Sequence, residues 1–271
     1  MISDRTTSAP IGVIGGSGLY ALLEDAQPVD VKTPYGAPSG PVVLGELGGR
    51  RVAFLPRHGA QHQLPPHRIP YRANLWALRA CGVRQVLAPC AVGSLQPELR
   101  PGALVVPDQL VDRTSGRAQT FHETGAVHVS FAEPYCPTGR EVTGAAAKAA
   151  GWDVTEGGTM VVVEGPRFST RAESTFYAAQ GWSVINMTGH PEAVLARELA
   201  MCHTALALVT DLDAGVAGGE PVNQEQVFRV FRDNIARLRE LLLTIVTALP
   251  EIRTCPCGAA LEGIEHDLVL P

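Results

Sequence analysis

The sequence has no long apolar run and no concentration of lysine and arginine. No apolar stretch reaches the roughly 18 residues that a transmembrane helix needs, so a membrane protein is not predicted. The N-terminus, MISDRTTSAP, lacks the apolar core and cleavage site of a secretory signal, which predicts a cytoplasmic protein. With 22 basic against 27 acidic residues the net charge is −5, so neither nucleic acid nor an anionic membrane is an expected partner.

Cysteine is also scarce, with six in 271 residues. Four occur singly in apolar surroundings, as expected for buried, reduced thiols: Cys81, Cys90, Cys136 and Cys202. Cys255 and Cys257 form a C-x-C motif in TCPCG. One such motif supplies only two of the four ligands of a structural zinc site, so the sequence favours a loop with two exposed thiols over a redox or metal site.

Hydrophobic residues are abundant, at 45% of the chain, in runs that alternate with helical patterns. Runs typical of buried strands include IGVIGG, VVLGEL, RVAFLP, VRQVLAPC, GALVVP, GTMVVVEG, WSVINM and HTALALVTD. Helices are predicted over 70–82, 170–181, 191–202 and, as the longest, 222–249. We predict a single-domain α/β fold, a mixed central sheet flanked by helices, over residues 10–249. Residues 1–9 form an N-terminal tail, and residues 250–271 a C-terminal tail that packs on the domain or on a neighbouring subunit.

A glycine-rich turn follows the first strand in IGVIGGSGLY. Its backbone N–H groups and the Ser17 hydroxyl can converge on a phosphate. Residues 16–21 also match the G-x-G-x-x-A dinucleotide fingerprint. However, the helical segment that follows is stopped near Pro28, and no acidic residue ends a second strand about 20 residues on. The pattern favours a phosphate turn, and an NAD or nucleotide binder remains a distant alternative.

Arg57 and His58 follow another strand, in the proline-rich loop FLPRHGAQHQLPPHRIPYR. His58 and His62 have the i, i+4 spacing of a helical metal pair, but Gly59 and the flanking prolines argue against a helix there, and no metal site is predicted. An Arg-His pair after a strand fits an oxyanion or phosphate clamp, since guanidinium offers a two-pronged fork. A solvated basic loop is the alternative.

Three other stretches carry candidate site residues. Phe168, in VVVEGPRFSTRAES, lies at a strand-to-helix junction, where it is either a stacking surface for a planar base or part of the core. Thr188, in INMTGHPE, precedes a helix that it either caps or uses to bind an anion. Asp211 and Asp213, in VTDLDAG, are two residues apart in a strand and so share a face, which is either a working site or a solvated strand end.

Taken in order, these motifs resemble one family over nearly the whole chain. The ordered set resembles the 5′-deoxy-5′-methylthioadenosine phosphorylases of the trimeric purine nucleoside phosphorylase family. The motifs that carry the resemblance are GVIGGSG, RHG, GS after a strand, DQLVDRT, AEPYCP, GTMVVVEGPRFSTRAES, NMT with PE, and TDLDAG. The resemblance implies a nucleoside phosphorylase-like fold and a homotrimer with shared active sites. It also implies inorganic phosphate as co-substrate and no metal or organic cofactor.

The resemblance also implies roles for individual residues. The phosphate site falls on Ser17, Arg57, His58, Ala91 and Thr188. Met187 and His128 fall on the ribose site, His128 reaching a neighbouring subunit. Phe168, Asp211 and Asp213 fall on the purine site, and Val227 and Phe228 on the 5′-pocket, whose register along the long helix the sequence does not fix. Cys90 departs from the family pattern, because relatives often have a hydroxyl residue there.

The implied reaction is phosphorolysis of 5′-deoxy-5′-methylthioadenosine to adenine and 5-methylthioribose 1-phosphate, the chemistry of purine salvage. The leaving purine gains negative charge as the N-glycosidic bond breaks, so a protonated Asp211 can donate to N7. Asp213, or a water on it, would accept from the 6-amino group of adenine. A phosphorylase for methylthioinosine or another 6-oxopurine nucleoside remains the alternative within the same family.

Overall fold

The computed structural model describes residues 9–16, 23–216, 221–264 and 266–271. Eleven strands among them form one sheet: β1 (Ile11–Gly15), β2 (Glu24–Val29), β3 (Val42–Leu47), β4 (Arg50–Pro56), β5 (Gln85–Ser94), β6 (Leu104–Val106), β7 (Gln109–Arg113), β8 (Val154–Glu156), β9 (Thr159–Val163), β10 (Val184–Asn186) and β11 (Cys202–Leu212). The α-helices described are α1 (Tyr71–Ala80), α2 (Pro137–Ala149), α3 (Arg171–Ala179), α4 (Gly189–Glu198) and α5 (Gln224–Ala248). Short 3₁₀ helices cover Pro66–Arg68 and Pro256–Ala259.

The two longest strands, β5 and β11, lie at the centre of the sheet pairing. The main path runs β2-β3-β4-β1-β5-β10-β9-β7, and β11 leaves it by pairing with β5 and with β6, which in turn pairs with β8. β1, β4, β5 and β11 run parallel, so their carboxyl ends reach the same edge of the sheet. β2 and β3 are antiparallel additions at one side. The predicted α/β class with a mixed central sheet is confirmed.

Helices cover the sheet and close two hydrophobic clusters. Leu238, Leu242 and Ile245 of α5 are fully buried against strand residues such as Phe54 and Leu206. The other large cluster packs α1 and α4 onto the first strands of the sheet, and Leu268 and Leu270 of the C-terminal segment lie against it. Continuous burial along β1 and nearly all of β11 explains why these strands read as uninterrupted apolar runs.

The local chemistry explains where several helices begin. Thr170 and Glu173 form a reciprocal capping box at the start of α3. The Asn223 side chain accepts a hydrogen bond from the Glu225 N–H at the start of α5. No helix in the described ranges combines the length and apolar character needed to cross a bilayer.

A few features of the fold differ from the sequence-based prediction or were not predicted. Pro28, expected to stop a helical segment, instead lies in β2, where an edge strand tolerates the missing N–H donor. α2 was not predicted, although Pro137 at its first turn is a typical helix start. The short strands β7 and β8 were also missed.

Candidate functional site

A cavity of about 670 Å³ lies beside the carboxyl halves of the parallel strands. Ligands of open α/β sheets bind outside these strand ends, because the loops that follow converge there. Ten of the twelve residues singled out from the sequence line this one cavity: Arg57, His58, Ala91, Phe168, Met187, Thr188, Asp211, Asp213, Val227 and Phe228. Residues as far apart in the chain as Arg57 and Phe228 therefore meet at one site.

The other two residues are not part of this group. Ser17 lies outside the described residues, although Gly16, just before it, lines the cavity. His128 is exposed, in an irregular segment, and is absent from the cavity lining among the described residues.

The Arg57 guanidinium is held in a fixed, buried position. Its Nε and Nη2 donate to the two carboxylate oxygens of Glu192 at 2.8 and 3.0 Å, and both side chains are almost inaccessible. Nη2 also donates to the carbonyl of Ile14 at 2.9 Å, and Nη1 to that of Pro89 at 3.0 Å. The guanidinium fork that the sequence analysis assigned to phosphate therefore binds Glu192 instead. In the described structure, four of the five N–H groups of the guanidinium have hydrogen-bond partners.

Glu192 compensates the buried charge of Arg57. It lies in the first turn of α4, and its Oε1 also lies 3.2 Å from His203 Nε2. Burial raises the pKa of Glu192, but the charge of Arg57 and the hydrogen bonds from His203 and Arg57 outweigh it and hold that pKa at about 2. The arginine is thus kept charged and oriented at the edge of the cavity.

His58 is a neutral hydrogen-bond acceptor. Its Nδ1 lies 2.8 Å from the carbonyl oxygen of Leu64, which can only accept, so Nδ1 carries the proton and Nε2 does not. Burial is the main cause that lowers the pKa of His58 to about 4, with a further contribution from nearby Arg57. The ring stacks on His62 at 4.3 Å between centroids. Nε2 can therefore accept from a protonated phosphate oxygen.

The turn at Thr188 is built by Asn186, whose role the sequence analysis did not identify. Asn186 Oδ1 accepts from the Thr188 N–H at 2.7 Å and the Gly189 N–H at 2.6 Å, and Nδ2 donates to the Ala91 carbonyl at 3.1 Å. The Thr188 side chain makes no capping bond to α4. Of the two roles left open for Thr188, the structure therefore excludes capping.

Asp211 lies at a β-bulge. The register between β5 and β11 shifts between Val209 and Asp211, which leaves Thr210 as the extra residue. Thr210 Oγ1 donates to Asp211 Oδ2 at 2.8 Å, and Asp211 is only 7% exposed. Burial raises the pKa of Asp211 to about 6, with the charge of Asp213 adding to the rise and the Thr210 hydrogen bond opposing it.

Asp213 is oriented by a serine from another element. Ser174 Oγ, on α3, donates to Asp213 Oδ2 at 2.5 Å. Gly93 of β5 makes room for both aspartates, since a Cβ there would come within 3.0 Å of Asp211 Oδ1 and 3.4 Å of Asp213 Cβ. A solvated strand end is thereby excluded: both carboxyl groups are buried at the cavity wall.

Apolar and aromatic side chains line the remaining walls. Phe168 and Met187 are half-buried at one part of the cavity. Val227, Phe228 and Phe231 line it from α5, and His62 meets the Phe228 ring edge-on at 5.7 Å. Gln224, at the start of α5, lines it as well.

Arg117 supports the loops that carry several of these residues, and no local sequence pattern predicts this role. Its guanidinium is 3% exposed and donates to the backbone carbonyls of Glu164, Met187 and His190 at 2.6 to 3.0 Å. It also contacts the Glu164 carboxylate at 3.1 Å. His190 is buried, and its Nε2 lies 2.7 Å from Gln119 Oε1.

The chain matches known proteins over most of its length. A family model described as Phosphorylase superfamily matches residues 10–247. A relative named purine nucleoside phosphorylase, from Streptomyces coelicolor, is 60% identical over 274 residues, covering 97% of this chain and 98% of the relative. The S-methyl-5′-thioadenosine phosphorylase of Mycobacterium tuberculosis is 58% identical over 263 residues, covering 96% and 97%.

A solved structure gives the same result for the fold. A methylthioadenosine phosphorylase from an antarctic soil metagenomic library superposes with a TM-score of 0.88 at 41% identity, covering 95% of this chain and 92% of its own. The cavity described above thus belongs to a fold shared with that protein.

Proposed function

The chain belongs to the phosphorylase superfamily, and on that basis we propose that it catalyses phosphorolysis of 5′-deoxy-5′-methylthioadenosine to adenine and 5-methylthioribose 1-phosphate. Membership makes it an enzyme of the pentosyltransferase type. Relatives named for methylthioadenosine support the choice of substrate. Inorganic phosphate is the second substrate of the proposal, and the proposed reaction requires no metal or organic cofactor.

The observation that carries the proposal is the pair of buried carboxyl groups at the bulge of β11. With a pKa near 6, about a tenth of Asp211 side chains carry a proton at pH 7, which suits a general acid. We propose that this proton passes to N7 of the leaving purine. Asp213, oriented by Ser174, accepts from the 6-amino group of adenine.

The opposite end of the proposed site binds phosphate. Arg57 supplies positive charge and its remaining Nη1 hydrogen, Thr188 supplies a hydroxyl, and Nε2 of His58 accepts from a phosphate hydroxyl. Ser17 and the backbone at Ala91 complete the proposed set. One phosphate oxygen then attacks the anomeric carbon as the bond to the base breaks.

The middle of the cavity suits the sugar and its 5′-substituent. Phe168 would stack on the purine and Met187 would contact the ribose. Val227, Phe228 and Phe231 form an apolar wall that favours a thioether over a hydroxyl. We also propose a homotrimer in which His128, exposed in this chain, reaches the site of a neighbouring subunit.

The test is release of free base from paired substrates. Purified protein is incubated with methylthioadenosine or methylthioinosine, each with and without phosphate. We expect phosphate-dependent release of adenine and little release of hypoxanthine. Faster release of hypoxanthine would contradict the proposed base, and release that does not depend on phosphate would contradict phosphorolysis.

Replacing Asp213 should change the choice of base. In Asp213→Asn an amide N–H₂ can face the 6-position and donate to a 6-oxo group, which the carboxylate repels. We expect the ratio of kcat/KM for methylthioadenosine to that for methylthioinosine to fall about 10- to 100-fold, as for one unpaired buried polar group. Asp233→Asn, on the exposed face of α5, is the matched control and should leave the ratio unchanged. An unchanged ratio in Asp213→Asn would contradict the assignment.

Replacing His58 should weaken phosphate binding. In His58→Asn the amide can still donate to the Leu64 carbonyl, but nothing replaces Nε2. We expect KM for phosphate to rise about 10- to 100-fold, the cost of losing a hydrogen bond to a charged group. His67→Asn, on an exposed residue of the same loop, should change KM less than about twofold. Equal effects in both variants would exclude a direct role for Nε2.

A further inference from the structure

Four of the six cysteines meet at the opposite end of the molecule from the proposed site. Cys136 precedes α2, Cys202 begins β11, and Cys255 and Cys257 come from the C-terminal segment. Their four Sγ atoms all lie within 4.8 Å of one another. Cys257 is buried and Cys255 half-buried, so the predicted loop with two exposed thiols is wrong.

The separations suit one metal ion. In a tetrahedral thiolate site each zinc–sulfur distance is about 2.3 Å, which places the sulfurs about 3.8 Å apart. Sγ of Cys202 and Sγ of Cys255 are 3.3 Å apart, and no pair of the four sulfurs is more than 4.8 Å apart, so the observed separations bracket this spacing. A set of four sulfur donors selects zinc or iron among the common divalent ions.

The surroundings offset the negative charge that four thiolates around one divalent ion would leave. The Gly139 N–H, in the first turn of α2, donates to Cys136 Sγ at 3.4 Å. The positive end of the helix dipole points the same way. Arg253 Nη1 lies 3.9 Å from Cys202 Sγ and is held by the Ala200 carbonyl at 2.8 Å. Backbone N–H groups and a cation of this kind orient and stabilise thiolate ligands.

We propose that Cys136, Cys202, Cys255 and Cys257 bind one Zn²⁺ ion in a closed, structural site. Cys202 precedes Asp211 by nine residues of one strand, or roughly 30 Å at about 3.3 Å per residue, so the ion takes no part in the proposed chemistry. Instead it ties the C-terminal segment to the start of β11 and of α2. The segment beyond it carries Leu268 and Leu270 onto the core.

Metal content of the full-length protein tests the site directly. The protein, without a histidine tag, is purified under reducing conditions, dialysed against metal-free buffer and analysed by mass spectrometry for zinc and iron. We expect one zinc per chain in the wild type and in Cys81→Ser, whose thiol lies outside the cluster. Cys136→Ser and Cys257→Ser should lose it. Protein with no zinc, with iron in its place, or with equal zinc in all variants would overturn the proposal.

Three further measurements keep the test independent of how well the variants fold. Cobalt(II) exchanged into the wild type should give thiolate-to-cobalt charge-transfer absorption and the visible bands of a tetrahedral site. The intact mass of denatured, alkylated protein distinguishes thiols from disulfides, and a loss of two or four hydrogens from these cysteines in reduced preparations would contradict zinc binding. Removing zinc should lower Tm by several degrees while initial rates of base release in the surviving folded protein stay the same.

Discussion

Replacing Asp211 by Asn is expected to lower kcat for methylthioadenosine about 100- to 10,000-fold, the range that general acid catalysis contributes. The amide keeps the shape of the side chain and can still receive the Thr210 hydrogen bond, but it has no acidic proton for N7. The measurement is steady-state kinetics at saturating phosphate. KM for phosphate should change little, because Arg57, His58 and Thr188 are intact.

Two comparisons make this result specific. Asp233→Asn carries the same chemical change on an exposed helix face and should keep wild-type kcat. A substrate whose leaving group needs no proton, such as a nitrophenyl 5-methylthioriboside, should lose much less activity in Asp211→Asn than methylthioadenosine does. A kcat within tenfold of the wild type on methylthioadenosine would refute the proton-donor role.

Replacing Glu192 by Gln is expected to lower the free energy of unfolding by about 3–5 kcal/mol, because it leaves the buried charge of Arg57 without its partner. Both side chains of the pair are at most 4% exposed, so water cannot substitute for the carboxylate. Denaturant unfolding at pH 7 measures the change. KM for phosphate should rise as well, since the guanidinium loses the anchor that orients it.

An exposed ion pair provides the control for Glu192. Glu123→Gln breaks the pair with Arg72 at the surface, where such pairs contribute about 0–1 kcal/mol, and it should change stability no more than that. The folded-state pKa of Glu192 lies below its ordinary value of 4.5, so its stabilising contribution is complete above about pH 4.5 and disappears as the pH falls toward 2. Equal losses of unfolding free energy in the two variants would show that the buried pair stabilises the protein no more than the exposed pair does.

The residues that local patterns could identify are those that follow strands. Arg57 and Asp211 each come at the end of an apolar run, and the parallel ends of such runs meet at one edge of a sheet. Thr188 also follows an apolar strand, but that strand, β10, runs antiparallel to β5. The main strands and the long helix were likewise predictable, because their apolar residues repeat with strand or helix spacing. The sequence therefore predicted most of the fold, and ten of its twelve candidate site residues line the cavity.

Partners far apart in the sequence were not predictable. Glu192 meets Arg57 across 135 residues, and Ser174 meets Asp213 across 39, so no local pattern links them. The four cysteines gather for the same reason, because the end of the chain returns to the start of β11. α2 was missed because Gly139 and Gly144 interrupt it, and glycine has a low helix propensity.

The measurement that tests the central claim most directly follows both products of methylthioadenosine with phosphate labelled by oxygen-18 at all four positions. Attack by phosphate on the anomeric carbon predicts one 5-methylthioribose 1-phosphate for each adenine released, with all four labelled oxygens retained in the sugar phosphate. Release of adenine together with free 5-methylthioribose, or no release at all, would contradict phosphorolysis by this chain.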